Sequence, residues 1–309
     1  MNKPKITKFY PCPCCGYLTL EKPPPGTYQI CPVCFWEDTN NFDEWGTNDC
    51  TLRQAQQNFN RWGVCEKEWR DCVRNPTESE ARLPNWKTLD EKLEIFKQQV
   101  IQAIQEAFAG VKLEDGITLI EARMIDDYMF NVSLKKEDKY ERRQQQIYHN
   151  ILAKKGGVYI SQDLLKNLSL EELLPNNWQD TNDKLIKNLS DILSFLDEKG
   201  YRFYLPAYIL WTINNYETSN NNSIDSTMFS LIPSSFNLSR RQLFTRKQSE
   251  AICKFLRFMS IDDNYGVYNT FESLEYWGQF CQPLDDECDW NGVEGSNLLN
   301  PIDCFLSSQ

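Results

Sequence analysis

The chain has 309 residues, of which 41% are hydrophobic and 13% aromatic, so it can bury sizeable cores and is not a disordered polypeptide. Residues 1–87 are electrically balanced, whereas residues 88–309 carry 22 basic and 33 acidic side chains and therefore the entire net charge of −11. This charge disfavours binding to a phosphate backbone, and no apolar run reaches the length of a membrane span.

Two short cysteine turns near the N-terminus are the strongest chemical signal. Each is a C-x-x-C motif with proline after its first cysteine, and fifteen residues separate the two motifs. This spacing is typical of a zinc site with four thiolate ligands. The predicted ligands are Cys12, Cys15, Cys31 and Cys34.

Four protein ligands leave no open coordination position, so we expect one structural Zn²⁺ ion and no catalytic metal. Pro13 and Pro32 fix φ in the two turns, and Gly16 permits the positive φ that a turn exit often needs. Three alternatives stay open: a rubredoxin-like iron site, a disulfide framework and a C-x-x-C redox pair. Because no secretory signal precedes Cys12, we expect a reducing cytoplasmic location, which favours a metal. Cys14 is interpreted as a spare thiol, with redox sensing as the alternative.

Residues 8–85 resemble a known family. The matching strings are Tyr10 to Tyr17 (YPCPCCGY), Cys31 to Asp38 (CPVCFWED), Ala55 to Phe59 (AQQNF) and Gly63 to Glu66 (GVCE). They are similar to the bacterial cysteine-rich CPCC domain. The resemblance implies a small zinc-binding module and implies no enzymatic activity.

The region between the second cysteine turn and residue 87 is predicted to complete this module. The stretch from Asp38 to Asp49 is expected to be an exposed loop. A capping box at Thr51 opens a helix that Gly63 ends, with Phe59 and Trp62 covering the zinc site. The irregular spacing of three further cysteines indicates single thiols more than a second metal cluster; these are Cys50, Cys65 and Cys72. We therefore predict a CPCC domain at residues 1–86 and an acidic domain at 87–309.

The acidic domain is predicted to be mainly helical. Capping boxes at Thr88, Thr118 and Thr245 each open a helix, and Gly110 ends the first of these. The leucines between 185 and 196 indicate a further helix that begins at Asp183 and is closed by Gly200. Pro206 is expected in the first turn of the next helix, which is so apolar that it should lie in the core.

Two segments of this domain are predicted to differ from the helical pattern. Residues 226–232 indicate a short strand, and residues 133–170 are interpreted as an insertion. The fold class is therefore α+β, with a small zinc-ribbon or zinc-knuckle module followed by a mainly α-helical domain that has at most a short strand pair.

Residues 90–260 look like a bacterial domain family of unknown function. The matching strings include Ile125 to Tyr128 (IDDY), Tyr201 to Tyr208 (YRFYLPAY) and Phe255 to Met259 (FLRFM). The suspected insertion departs from that pattern. This family, like the first, has no established activity that the resemblance could imply.

Carboxylates are the best candidates for catalysis in the second domain. Asp126 and Asp127 form the most enzyme-like pair, but adjacent residues on a helix diverge by about 100°, so both cannot easily face one substrate atom. Asp126 with Glu121 or Asp225 could bind Mg²⁺ or share a proton, although a hydrogen bond from Arg202 or Tyr204 within a core network is the simpler interpretation. The chain's one histidine, His149, lies in the suspected insertion, which disfavours catalytic triads. Cys253 is expected in the core, and Cys281 shows no metal-site spacing.

The leading hypothesis is a cytoplasmic zinc-binding protein that works by protein–protein interaction. Its partner would be a basic protein, by analogy with bacterial toxin–immunity pairs. The alternative is a carboxylate-dependent, hydrolase-like enzyme built on Asp126, Asp127 and Asp225. Nucleic-acid binding through the zinc module is disfavoured because few basic residues accompany it.

Overall fold

The computed structural model describes residues 9–39, 48–126, 175–234, 240–261 and 270–281. The chain divides into two compact units, Met1–Phe96 and Lys97–Gln309, and the division falls within one helix. The domain boundary predicted at residues 86 and 87 stays a prediction. Each unit is described by itself below, with elements labelled in the order of the described residues.

The described part of the first unit begins with two tight turns that present the cysteines. Strand β1 (Tyr10–Pro11) pairs antiparallel with β2 (Leu18–Leu20), with an irregular register between Tyr10 and Pro11. The first cysteine turn lies between these strands. Ile30 and Glu37 form an antiparallel bridge on either side of the second cysteine turn. The two antiparallel pairs therefore hold one cysteine turn each, and residues 10–37 are called the ribbon below.

Helix α1 (Leu52–Trp62) follows the ribbon and has the predicted ends. The Thr51 side chain accepts from the Gln54 backbone N–H, and Gly63 ends the helix at φ 78°. Its buried face is formed by Leu52, Ala55 and Gln56, whereas Phe59 and Trp62 are only half-buried. Two short 3₁₀ helices, Lys67–Cys72 and Glu78–Glu80, complete this part of the chain.

The loop predicted between Asp38 and Asp49 is exposed at Asp49, but the predicted exposure is wrong at three other described positions. Asp38, Thr39 and Asn48 are buried, and residues 40–47 lie outside the described residues. Asp38 accepts from the Thr27 backbone N–H, and the Asn48 side-chain amide bonds both polar backbone groups of Glu37. These polar side chains are buried because they satisfy backbone groups of the ribbon.

The second unit consists of helices. Helix α2 (Leu89–Ala107) crosses the division. Six more helices follow it in the described residues: α3 (Leu119–Asp126), α4 (Asp183–Asn188), α5 (Glu198–Asn215), α6 (Ser223–Ser230), α7 (Arg246–Ile261) and α8 (Thr270–Gly278). Short 3₁₀ helices lie at Trp178–Asp180 and Ile192–Phe195. The predicted capping boxes are confirmed by reciprocal hydrogen bonds at Thr88, Thr118 and Thr245. In the described parts of the chain, none of the helices combines the length and apolar composition needed to cross a membrane.

Helix α5 forms the centre of the second unit, as its apolar composition predicts. It is buried almost all round, and two of its tyrosines donate their hydroxyls to neighbouring elements. Tyr201 donates to the Ser230 carbonyl at 2.8 Å, and Tyr208 donates to the Leu189 carbonyl at 2.7 Å. These bonds connect α5 to the C-terminal end of α6 and to the residue that caps α4.

Three local predictions around α5 are wrong. The helix predicted from Asp183 ends at Asn188, and the chain then makes the 3₁₀ turn Ile192–Phe195. Gly200 does not close a helix, because Asp197 caps α5 and places Gly200 in its first turn. Pro206 consequently lies in the helix interior, where its nitrogen cannot donate to a carbonyl in the preceding turn.

The strand predicted at residues 226–232 is also wrong, because Ser223–Ser230 is helix α6. Two of its hydroxyls are satisfied within the helix: Thr227 donates to the Ser223 carbonyl at 2.6 Å, and Ser230 to the Thr227 carbonyl at 2.8 Å. The suspected insertion at 133–170 lies outside the described residues. With one short strand pair and a mainly helical remainder, the α+β class is confirmed.

Two glycines allow the loop before α3 to cross the start of α5. A Cβ at Gly116 would lie 2.7 Å from the Gly200 backbone nitrogen, and a Cβ at Gly200 would meet the Ile117 carbonyl group. Asp197 fixes this crossing, because its Oδ1 accepts from the backbone N–H groups of Ile117 and Gly200. Gly200 is therefore required by a close approach of two backbones.

We predict that Gly200→Ala lowers the free energy of unfolding by about 2 kcal/mol, because the added methyl overpacks this crossing. Helix propensity alone predicts the opposite sign, since alanine is the better helix former. Gly278→Ala is the matched control, because a Cβ there meets nothing within 4 Å. Urea unfolding followed by circular dichroism would measure both variants, and equal stability would contradict the crossing as the reason for Gly200.

Candidate metal centre

Four cysteine sulfurs meet between the two cysteine turns. Cys12 Sγ lies 3.6 Å from Cys34 Sγ, and Cys15 Sγ lies 3.6 Å from Cys31 Sγ. All four sulfurs lie within 4.8 Å of one another, and all four residues are fully buried. Each turn thus contributes two sulfurs, and the closest contacts join one turn to the other.

The two cysteine turns have the same backbone geometry. In the first, the Gly16 N–H donates to the Cys12 carbonyl at 2.8 Å; in the second, the Phe35 N–H donates to the Cys31 carbonyl at 2.8 Å. Both exit residues have positive φ, 76° at Gly16 and 67° at Phe35. Glycine adopts this conformation freely, whereas a phenylalanine there is strained. Phe35 packs in a stacked arrangement on Trp69, with ring centroids 4.6 Å apart.

Four backbone carbonyls of the cysteine turns accept hydrogen bonds from the chain that follows the ribbon. On the first turn, the Gln56 side chain donates to the Pro13 carbonyl at 2.8 Å, and Arg82 Nε donates to the Cys15 carbonyl at 2.6 Å. On the second turn, the donors are the backbone N–H groups of Arg74, to the Pro32 carbonyl at 3.0 Å, and Cys65, to the Cys34 carbonyl at 2.7 Å. Residues 48–96 therefore position the two turns.

Arg82 also forms the centre of an aromatic cluster beside the first turn. Its guanidinium lies 4.7 Å from the Tyr17 ring centroid, 5.2 Å from that of Trp86 and 5.5 Å from that of Phe59. Such contacts stabilise a cation through the negative faces of the rings. The predicted covering role of Phe59 is therefore shared with Tyr17, Trp86 and Arg82.

The electrostatic environment of the four sulfurs favours a bound cation. Burial raises the pKa of the thiols of Cys12, Cys15 and Cys34, whereas hydrogen bonds from these three hold the pKa of Cys31 well below its usual range. Thr19 adds a contact of 3.2 Å between its hydroxyl and Cys31 Sγ. Four buried thiolates repel one another, so full ionisation requires a bound positive ion.

This donor set fits a tetrahedral metal site. Metal–sulfur bonds of about 2.3 Å imply sulfur–sulfur separations of roughly 3.8 Å, close to the two observed contacts. The four donors are buried and complete the coordination shell, so a bound ion would have no position for substrate. Among the described residues, these cysteines are the one group with metal-ligand geometry.

The remaining cysteines of the first unit are not members of this group of four. Cys14 is buried, and Cys72 is exposed. Burial, followed by the charges of Glu66 and Cys14, raises the pKa of Cys50 to about 12. Burial also raises the pKa of Cys65. Cys50 and Cys65 are therefore protonated at neutral pH and are poor nucleophiles, as expected of single structural thiols.

The candidate catalytic carboxylates occupy different environments. Asp126 accepts from Arg123 at 2.6 Å, and Arg123 also bonds Asp191 at 2.7 Å. Arg202, one of the expected partners, donates instead to Gln248. Asp225 is exposed on α6, and Asp127 lies outside the described residues, as does His149. Of the two described candidates, Asp126 is thus ion-paired and Asp225 lies at the surface.

Comparison with known families supports both resemblances predicted from the sequence. Residues 10–80 match the family model described as cysteine-rich CPCC, and residues 159–280 match the model of a family of unknown function, DUF6714. The second match begins later than the resemblance in the sequence suggested. Neither the curated proteins nor the solved structures contain a match to this chain.

Several features of the centre could not be read from residue types. Phe35 was not expected to share the backbone conformation of Gly16, although both follow the second cysteine of their turn. The contacts from Gln56 and Arg82 join residues 43 and 67 positions apart. The equivalent spacing of Gly16 and Phe35 is the one signal that could have revealed the first of these.

We predict that Gly16→Ala costs about 3 kcal/mol of stability and Gly63→Ala about 1 kcal/mol. Both glycines have positive φ, so both variants incur the same backbone strain. A Cβ at residue 16 would also clash with the Trp86 ring, lying 2.6 Å from its Cε2, whereas a Cβ at residue 63 meets nothing within 4 Å. Denaturation of the metal-loaded protein measures the difference; equal losses would show that the Trp86 contact is unimportant.

Proposed function

We propose that the first unit is a structural Zn(Cys)₄ module and that the acidic helical unit binds a basic protein partner. The observation that carries the first half is the complete burial of four mutually close sulfurs. A site of four cysteine ligands has no open position, so its metal stabilises a fold and does no chemistry on a substrate.

Zinc is the metal that this donor set favours. Four thiolates in a tetrahedral arrangement suit Zn²⁺, and iron in a rubredoxin-like site is the competing assignment. The carbonyls of both cysteine turns are already bonded to α1 and the segments after it. A metal bound between the turns would therefore stabilise those segments as well as the ribbon.

The second half of the proposal rests on charge. Residues 88–309 contain eleven more acidic than basic residues, and a surplus of one sign promotes association with a partner of opposite charge. Asp126, the best catalytic candidate, is held by Arg123 in an ion pair. A binding role therefore agrees with the described residues better than carboxylate catalysis does, and the toxin–immunity pairs are an analogy for it.

We expect one zinc ion per chain, and we expect Cys12→Ser and Cys34→Ser each to lose it together with the folded first unit. The ion can contribute on the order of 10 kcal/mol to folding, which a small ribbon cannot replace. Elemental analysis and native mass spectrometry would measure the metal content. Cys72→Ser is the matched control, because this exposed cysteine lies outside the cluster. Iron in place of zinc, or zinc retained by both variants, would overturn the assignment.

Binding of a basic partner can be tested with polylysine as a defined probe. We expect the full chain to bind it at 50 mM salt, and neutralising three exposed carboxylates of the second unit should weaken binding about threefold or more. These are Asp225, Glu272 and Glu275. The control neutralises three exposed carboxylates of the first unit, Glu21, Glu68 and Asp71, with the same change in net charge. Equal effects of both triple variants in a calorimetric titration would contradict a binding surface on the helical unit.

A further inference from the structure

A second pair of cysteines lies in the helical unit. Cys253 is on α7, and Cys281 is three residues beyond the end of α8. Their sulfurs are 3.1 Å apart, which is closer than the 3.6 Å contacts within the metal centre. Cys253 is buried, and Cys281 is partly exposed. This pair belongs to neither the four-cysteine cluster nor the carboxylates considered above.

We propose that Cys253 and Cys281 are a redox modification site that forms a reversible disulfide on reaction with a hydroperoxide. A disulfide bond is about 2.05 Å long, so the two sulfurs need to approach each other by roughly 1 Å. The proposal does not depend on the metal centre, because the two sites share no residue.

The environments of the two thiols assign them different roles. The hydrogen bond from Cys253 holds the pKa of Cys281 below its usual value, whereas the same contact and burial raise the pKa of Cys253. The thiolate is the reactive form of cysteine, and Cys281 is also the one that solvent reaches. Cys281 is therefore the attacking sulfur, and Cys253 is the resolving thiol.

The reaction balances in two steps. The Cys281 thiolate attacks one peroxide oxygen, the O–O bond breaks, and the departing oxygen leaves as water or an alcohol after protonation, which converts Cys281 to a sulfenic acid. Cys253 then attacks the sulfenic sulfur; the S–O bond breaks, the S–S bond forms, and a second water leaves. The two thiols lose two electrons and two protons in total. A low-molecular-weight thiol reverses the bond by exchange.

The disulfide would fix the end of α8 to the middle of α7. These helices already pack together, and Trp277 of α8 donates its indole N–H to the Leu231 carbonyl at 3.0 Å. Cys281 itself donates to the Trp277 carbonyl at 3.4 Å, so its side chain is held toward the helix end. Oxidation would therefore add a covalent bond to a contact that exists in the reduced state.

The test uses the full zinc-loaded chain with hydrogen peroxide added in small excess. After the remaining thiols are alkylated, peptide mapping by mass spectrometry should find residues 253 and 281 joined, with a loss of 2 Da that dithiothreitol restores. The oxidised protein should melt roughly 5 °C higher, because the bond restricts the unfolded chain.

Two variants separate this pair from the other cysteines. Cys281→Ser should abolish both the joined peptide and the rise in melting temperature, whereas Cys72→Ser should retain both. The mapping of the unmodified sequence decides the question even if a variant folds poorly. Oxidation that stops at a sulfinic acid on Cys281, or that joins either cysteine mainly to the metal-centre cysteines, would overturn the proposal.

Discussion

The main physical constraint on the first unit is that four buried sulfurs, if all were ionised, would repel one another. Their pKa values diverge because burial disfavours thiolates and each charge disfavours the next, so the cluster can ionise fully only around a cation. The two turns carry the sulfurs, but Gln56, Cys65, Arg74 and Arg82 hold the turns' carbonyls. Binding of a metal by these sulfurs would therefore be coupled to the packing of residues 48–96, because that packing positions the turns that carry them.

The second unit depends on a different constraint, the burial of polar groups around α5. Tyr201 and Tyr208 donate to backbone carbonyls at the ends of α6 and α4, and Asp197 satisfies two backbone donors where Gly116 and Gly200 meet. A hydrophobic core alone tolerates sliding of one helix on another, whereas a buried hydroxyl tolerates only positions in which it finds a partner. These bonds therefore fix the register of short helices around a helix that is apolar on nearly all sides.

Sequence patterns correctly predicted the local features, whose geometry depends on residues close together in the chain. The capping boxes at Thr51, Thr88, Thr118 and Thr245 each involve side chains three positions apart, and the cysteine spacing depends on turn geometry alone. The failures come from distant contacts. Gly200 was predicted to end a helix, but the position requires glycine because a loop more than eighty residues earlier in the chain crosses it closely. Residues 226–232 were predicted to form a strand, but they overlap helix α6, where the hydroxyls of Thr227 and Ser230 bond to carbonyls of the same helix.

Among the described residues, the candidate catalytic carboxylates of the second unit lie in separate environments. A carboxylate becomes a proton acceptor near neutral pH when burial or a second carboxylate raises its pKa. Asp126 forms an ion pair with Arg123, which Asp191 shares, and Asp225 is exposed to solvent. Carboxylates in such positions contribute mainly to the electrostatic field of the surface. Binding can rely on the summed charge of many carboxylates, whereas carboxylate catalysis requires that a few of them have perturbed pKa values.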